Sequence, residues 1–210
     1  MSVHEDLLVS DFHECFAQMR HYDDGFRDVV KFGFEGVFAV ITGYAFLAGK
    51  YGFADWAGVG LALLTLLATL MGSLLVIWLA RNRVYYAHVC RYVNEIRSAY
   101  ISAVPGGVSN KAGMYVNYAR PLIFNPASTQ TLQVYFLSLS TALLFAGFVG
   151  TCSIVHAVGH GSKPTVNWCW VILTFLLFSA IEVGGVLIYW AHKEKRMNAQ
   201  RSASSGKSGA

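Results

Sequence analysis

Four long apolar stretches, at residues 29–48, 56–80, 131–158 and 166–191, constrain this chain of 210 residues more than any other feature. Each can cross the roughly 30 Å hydrocarbon layer of a bilayer as an α-helix, a crossing that takes about 20 apolar residues. Charge is almost absent from them. There is none between Val37 and Gly49, between Trp56 and Ala80 or between Thr131 and His160, and between Val166 and Ala191 there is only Glu182. A soluble core helix of such length keeps a charged face toward water. Charged residues make up 13% of the chain, about half the share of an average soluble domain. The chain reads as an integral membrane protein, with the lipid bilayer as its first partner.

Lipid offers no partner to backbone polar groups, so a spanning segment is either a helix or a strand of a closed barrel. A barrel is written as many short alternating strands, not as unbroken apolar runs. The expected fold is therefore all-α: a polytopic bundle of four transmembrane helices. Aromatic residues mark the water interfaces: Tyr51 and Trp56 flank the first turn, Trp168 and Trp170 open the fourth span, and Tyr189 and Trp190 close it. Fourteen of the 16 Lys and Arg residues lie before the first span or at its very start (Lys31), between the second and third, or after the fourth; the two short connections hold only Lys50 and Lys163. That asymmetry places both termini and the middle segment in the cytoplasm, in the simplest case at a bacterial inner membrane.

The parts outside the spans differ in sign. Residues 1–28 carry seven acidic side chains against Arg20 and Arg27, whereas residues 81–130 carry six basic ones against Glu95. Leu8, Phe12, Phe16 and Met19 recur at helical spacing, which predicts an amphipathic helix over residues 3–20. Its acidic character suits packing on the basic segment better than anionic lipid. The second span is expected to continue as a helix to about Ile101, because Ser73–Val104 holds neither glycine nor proline. Along that extension Tyr85, Val89, Tyr92, Ile96 and Tyr100 form an apolar stripe that needs a cover. The amino-terminal helix, a second copy of the chain or a cytoplasmic protein partner would each serve. Arg91 and Glu95 are expected to pair along it. Pro105, Gly106 and Gly107 end the helix, an irregular connection follows to residue 130, and Ser128 or Thr129 caps the third span. The serine- and glycine-rich end of residues 192–210 reads as a disordered basic tail.

Ionisable groups inside a membrane are costly and default to functional candidates. Glu35 and Glu182 are the two, as members of an ion or proton pathway; Lys31, one turn from Glu35, offers that carboxylate a structural partner instead. Cys152, His156 and His160 share a helical face on the third span, yet the other spans supply too few further ligands for a metal or haem site. No metal and no cofactor is expected. Ala39 with Gly43, Ala142 with Ala146 and Gly150, and Ala180 with Gly184 form small-residue stripes for close helix packing.

A glycine-rich phosphate loop, a paired-histidine zinc motif and a serine elbow are all missing from the sequence. The basic residues between Arg81 and Arg97 are those expected beside a cytoplasmic membrane face, so nucleic acid is not an expected partner. The sequence thus favours a non-enzymatic, oligomeric membrane module whose cytoplasmic layer binds or senses a partner through Phe12, Phe16 and the Tyr85–Tyr100 stripe. The alternative is a small oligomeric ion channel or proton-coupled transporter that uses Glu35 and Glu182.

Overall fold

The computed structural model describes residues 3–53, 55–103, 122–126, 128–163 and 165–207. They form four helices: α1 (Val3–Tyr51), α2 (Asp55–Ala103), α3 (Thr129–Gly159) and α4 (Trp168–Lys207). All four are long and apolar enough to cross a membrane, and together they build a transmembrane helical bundle.

Local chemistry fixes where the helices stop. Gly52, at φ 71°, ends α1 by donating its N–H to the Ala48 carbonyl at 3.0 Å, the single-bond left-handed cap that glycine supports without strain. At the end of α3, Gly161 (φ 68°) donates to Val158 and Ser162 donates to Ala157, the paired pattern of a Schellman motif. Ser128 caps the start of α3, its side chain accepting from the Thr131 N–H. Between these punctuation marks the helices run without interruption.

One expectation is extended and one corrected. Residues 3–20 are helical as expected, but not as a separate element preceding a span, because α1 is one helix of 49 residues. Nothing between residues 21 and 28 breaks it: there is no proline, and Arg27 bridges back to Asp23 and Asp24 one turn earlier. Nor is the carboxy-terminal segment a disordered tail, since α4 runs to Lys207. Residues 191–201 are mostly Ala, Lys, Glu, Arg, Met and Gln, all strong helix formers, and packing begins well past the span, where Met197 lies on the core. The α2 extension runs to Ala103 as one helix with its span. The span limits also shift outward by one or two residues in α3, to Thr129 and Gly159.

Neighbouring helices are antiparallel along the chain. Helices α2 and α3 form the centre; α1 packs on α2 and more sparsely on α3; α4 packs on α3 and α2; among the described residues α1 and α4 do not touch. Close approach of the central pair depends on glycine, for a methyl group on Gly72 would meet Thr141 Oγ1 at 2.5 Å. The start of α1, the end of α2, the start of α3 and the end of α4 lie at one end of the bundle, the basic end; the two short turns form the hairpin end. The contiguous apolar core is displaced toward the basic end: Phe26 and Val30 from α1, Val76, Leu79 and Ala87 from α2, Ile123, Leu137 from α3 and Trp190 from α4. At the hairpin end Trp56, Trp168 and Trp170 stay exposed, as interface aromatics do. Trp190 does not: it is fully buried, and its indole N–H donates to the Ala80 carbonyl at 2.9 Å.

Candidate functional site

The two intramembrane glutamates occupy one depth but opposite settings. Ser73 of α2 donates its hydroxyl to Glu182 Oε1 at 2.5 Å, while Glu182 Oε2 is buried and has no hydrogen-bond partner among the described residues. Gly33 of α1 packs beside Leu75 and Leu137, and Phe34 meets Phe136, so Glu35 stands level with Ser73. Yet Glu35 points away from the bundle. Its only ion pair among the described residues is Lys31 on its own helix, at 3.8 Å, with both side chains well exposed. Since α1 and α4 do not touch, Glu35 and Glu182 share no path through a single copy of the chain.

The Tyr85–Tyr100 stripe is covered in part by α1. Tyr22 stacks on Tyr85 with ring centroids 6.1 Å apart. Tyr92 donates its hydroxyl to Asp11 at 2.7 Å. Arg97 lies over the rings of Phe12 and Phe16 at 5.4 and 4.9 Å. Val89 and Ile96 are half-buried, Tyr85 and Tyr92 keep about half their surface exposed, and the Tyr100 side chain lies outside the described residues. The acidic helix therefore does meet the basic one, through aromatic and charged groups together.

Sequence reasoning missed the tightest cluster in the molecule, a polar clamp at the basic end of the core. Arg83 is buried, although an arginine pays heavily for leaving water unless its donors are met. Here they are: its Nε donates to the Ile123 carbonyl at 3.1 Å, its guanidinium NH2 to the Leu122 carbonyl at 3.0 Å and its NH1 to Gln130 Oε1 at 2.6 Å. Gln130 in turn donates to Asp23 of α1 at 3.0 Å. One turn on from Ala87, Arg91 pairs with Glu194 of α4 at 2.6 Å, with little of either side chain exposed; the other Glu194 oxygen accepts the Ile123 N–H at 2.9 Å. Asn82 donates to the Tyr22 carbonyl at 2.8 Å. All four helices and the segment before α3 are thus tied at one level. The expected pairing of Arg91 with Glu95 gives way because the clamp reaches α4, whose continuation past residue 191 supplies Glu194. A signal was present: Arg83 falls between Leu79, Ala80 and Ala87 on the buried face, a position where a charge needs fixed partners.

The clamp's surroundings are dry enough to shift protonation. Burial lowers the Arg83 value below the usual guanidinium range. It raises the Cys90 thiol, against an opposing hydrogen bond from Tyr86 and the nearby Arg83, and raises the Tyr86 phenol. His88 is held below its ordinary range by burial and then by Arg91 and Lys193. Beside Glu194 an open groove of about 460 Å³, lined by Leu122, Phe124, Ala191, Lys195 and Asn198, leaves apolar surface next to the clamp.

At the hairpin end the His156 and His160 rings lie against each other at a tilt of 48°, with centroids 4.3 Å apart, and Cys152 and Cys169 are free and exposed. Among the described residues no three His, Cys, Asp or Glu side chains converge on a metal position. The α3 stripe of Ala142, Ala146 and Gly150 is buried within the chain; Ala39 and Ala180 stay exposed, and Gly43 and Gly184 have open space beside them. No family model matches the chain, and neither a curated protein nor a solved structure matches it.

Proposed function

We propose that the protein is a non-enzymatic, self-associating membrane module that presents a helical layer to a cytoplasmic protein partner, with both termini in the cytoplasm of a bacterium and the spans in its inner membrane. One observation carries this reading: α1, α2 and α4 leave the bundle as unbroken helices and are bound to each other by the Arg83–Gln130–Asp23 and Arg91–Glu194 bonds. A layer fixed in this way relays displacement of the spans to its exposed side, where Glu14, Tyr85 and Tyr92 are accessible. The basic residues gathered at that end support its cytoplasmic orientation.

The test is photo-crosslinking in cells from positions 14, 85 and 92 of the full chain. A discrete protein adduct is expected, and the adduct from positions 85 and 92 should vanish on charge reversal of Glu14 and Asp11 while membrane insertion is unchanged. If no adduct forms from any of the three positions, the module reading fails.

A second reading, an oligomeric ion channel or proton-coupled transporter, is favoured by one feature, the buried Glu182 oxygen without a partner beside Ser73. It would use Glu182 within a chain and Glu35 only between chains. Proton or cation flux in liposomes that disappears in Glu182→Gln would support it, and a native protein that conducts under no gradient would remove it.

A further inference from the structure

The outward faces of the spans are not alike. On α2 the exposed face is Leu67, Leu70, Leu74 and Ile77, and on α4 it is Leu173, Leu177, Ile181 and Ile188, surfaces that lipid solvates without penalty. On α1 the exposed face carries Lys31, Glu35, Ala39 and Thr42 at successive helical turns. Lys31 and Glu35 are 75% and 65% exposed. Glu35 is level with Ser73, eight residues inside Arg81 and so roughly 12 Å from the basic rim of the bundle. Charged groups at such depth face protein or water, not acyl chains, and the bundle covers neither. Lys31 can snorkel toward the rim, but doing so draws it away from Glu35. What is missing is a second surface.

That surface is specified by the face itself. It bears a cation and an anion a single turn apart, so in two copies related by a two-fold axis along the membrane normal each Lys31 lies one turn, about 6 Å along the axis, from Glu35 of the other copy, a gap that its long side chain spans. Phe38 and Phe46, exposed on the same side of α1, would pack across the contact, while Ala39 is small and a methyl group on Gly36 would meet nothing within 4 Å. Small residues of this kind let spanning helices come close enough for interhelical polar contacts. Lipid headgroups lie at the rim and do not reach Glu35 at this depth, and a partner of different sequence would need to supply both signs at that one level.

We propose that α1 is the intramembrane interface between two copies of this chain, with Lys31 of each copy bound to Glu35 of the other. The inference rests on the self-association in the proposed function and names its surface. A consequence is that Glu35 becomes interior in the dimer and the apolar faces of α2 and α4 remain toward lipid.

The test uses the full chain in native membranes with one added cysteine. Oxidative crosslinking should give a dimer from Ala39→Cys and none from Leu177→Cys on the α4 face. In the Ala39→Cys background, Lys31→Glu alone and Glu35→Lys alone should each lower the dimer yield at least fivefold. Co-expression of those two variants with different tags should give a mixed dimer at near-native yield, because one carries two anions and the other two cations. The mixed pair excludes a purely intrahelical role, since each chain by itself holds only like charges. Should either reversal impair insertion, Lys31→Met with Glu35→Met, a wholly apolar face, should insert and still lose the crosslink. Dimer from Leu177→Cys but not Ala39→Cys overturns the interface and leaves self-association standing. A chain that is monomeric and crosslinks from neither position overturns both. Unchanged crosslinking in both single reversals overturns the ion pairing.

Discussion

The basic half of the bundle and the hairpin half are held by different forces, although the same four helices run through both. Toward the basic end the apolar cluster around Trp190 is sealed by Arg83, Asn82, Gln130, Arg91 and Glu194. Toward the hairpin end the interhelical side-chain bonds among the described residues thin to Ser73 with Glu182 and Tyr44 with Thr151 at 2.8 Å. There the central pair meets through Gly58, Gly72 and small polar residues such as Thr65 and Thr69, which are buried but bond back to their own helix. A hydroxyl satisfied by its own backbone adds no tie between helices. The contrast teaches that this chain is organised from the water-facing rim, where charge-assisted bonds set the register, and that its membrane half depends on close contact and on what surrounds it.

Removing the centre of the clamp should break that contrast most strongly. Arg83→Ala leaves the carbonyls of Leu122 and Ile123 and the Gln130 amide unmet in a dry site, which costs about 3 kcal/mol. The thermal midpoint in detergent should fall, and limited proteolysis should open the segment before α3 first. A midpoint equal to that of the native chain would show that the rim does not set the stability. Glu194→Ala is expected to cost less, about 2 kcal/mol, because its partners Arg91 and the Ile123 N–H lie nearer to water. Its distinguishing readout is release of α4 beyond residue 191 to protease, while the α1–α2 contact through Tyr22 and Tyr85 survives. Simultaneous exposure of both would mean the clamp is a single cooperative unit without separable arms.

Most of the architecture was legible in the sequence and the clamp was not, for a physical reason. Apolar length reports burial in lipid directly, so the spans and the unbroken α2 followed from composition and from the absence of helix breakers. The clamp is written in single residues that look ordinary alone. Arg83 and Arg91 are indistinguishable by type from basic residues that merely sit beside a membrane, and Glu194 falls in a polar stretch whose helicity depends on the packing it makes. The same ambiguity affected Asp23, which stands beside Asp24 like any solvated acidic residue but serves as an acceptor for Gln130 within a continuous α1. For the two glutamates, sequence gave depth and not direction, and direction is what separates the inward Glu182 from the outward Glu35.

The membrane half should respond more weakly to loss of its polar tie. Ser73→Ala removes the donor to Glu182, and interhelical hydrogen bonds in bilayers contribute about 1 kcal/mol. The expected result is a small drop in midpoint, below that of either clamp variant. A drop as large as that of Arg83→Ala would reverse the comparison and make the Ser73–Glu182 bond the main lock of the bundle.

The smallest effect at neutral pH belongs to Cys90, and it grows only in alkali. Burial raises its thiol above the ordinary value, so the folded state favours the protonated form more than the unfolded chain does. The stability linked to this preference is complete well below about pH 8.5, the ordinary value of an unfolded thiol, and is lost as pH rises through the folded value. Tyr86 adds to the loss in the same direction, being raised by burial and by Cys90; Arg83 and Arg97 oppose the shift of Cys90, and Asp23 supports it. Cys90→Ala should therefore match the native midpoint closely at pH 7 and fall less steeply as pH rises above about 8.5. Cys15, raised by its own burial and by Asp11 and Glu14, remains in both proteins and cancels from the difference. Parallel curves would place Cys90 in contact with water and show that the dry region of the clamp ends short of it, at Arg83.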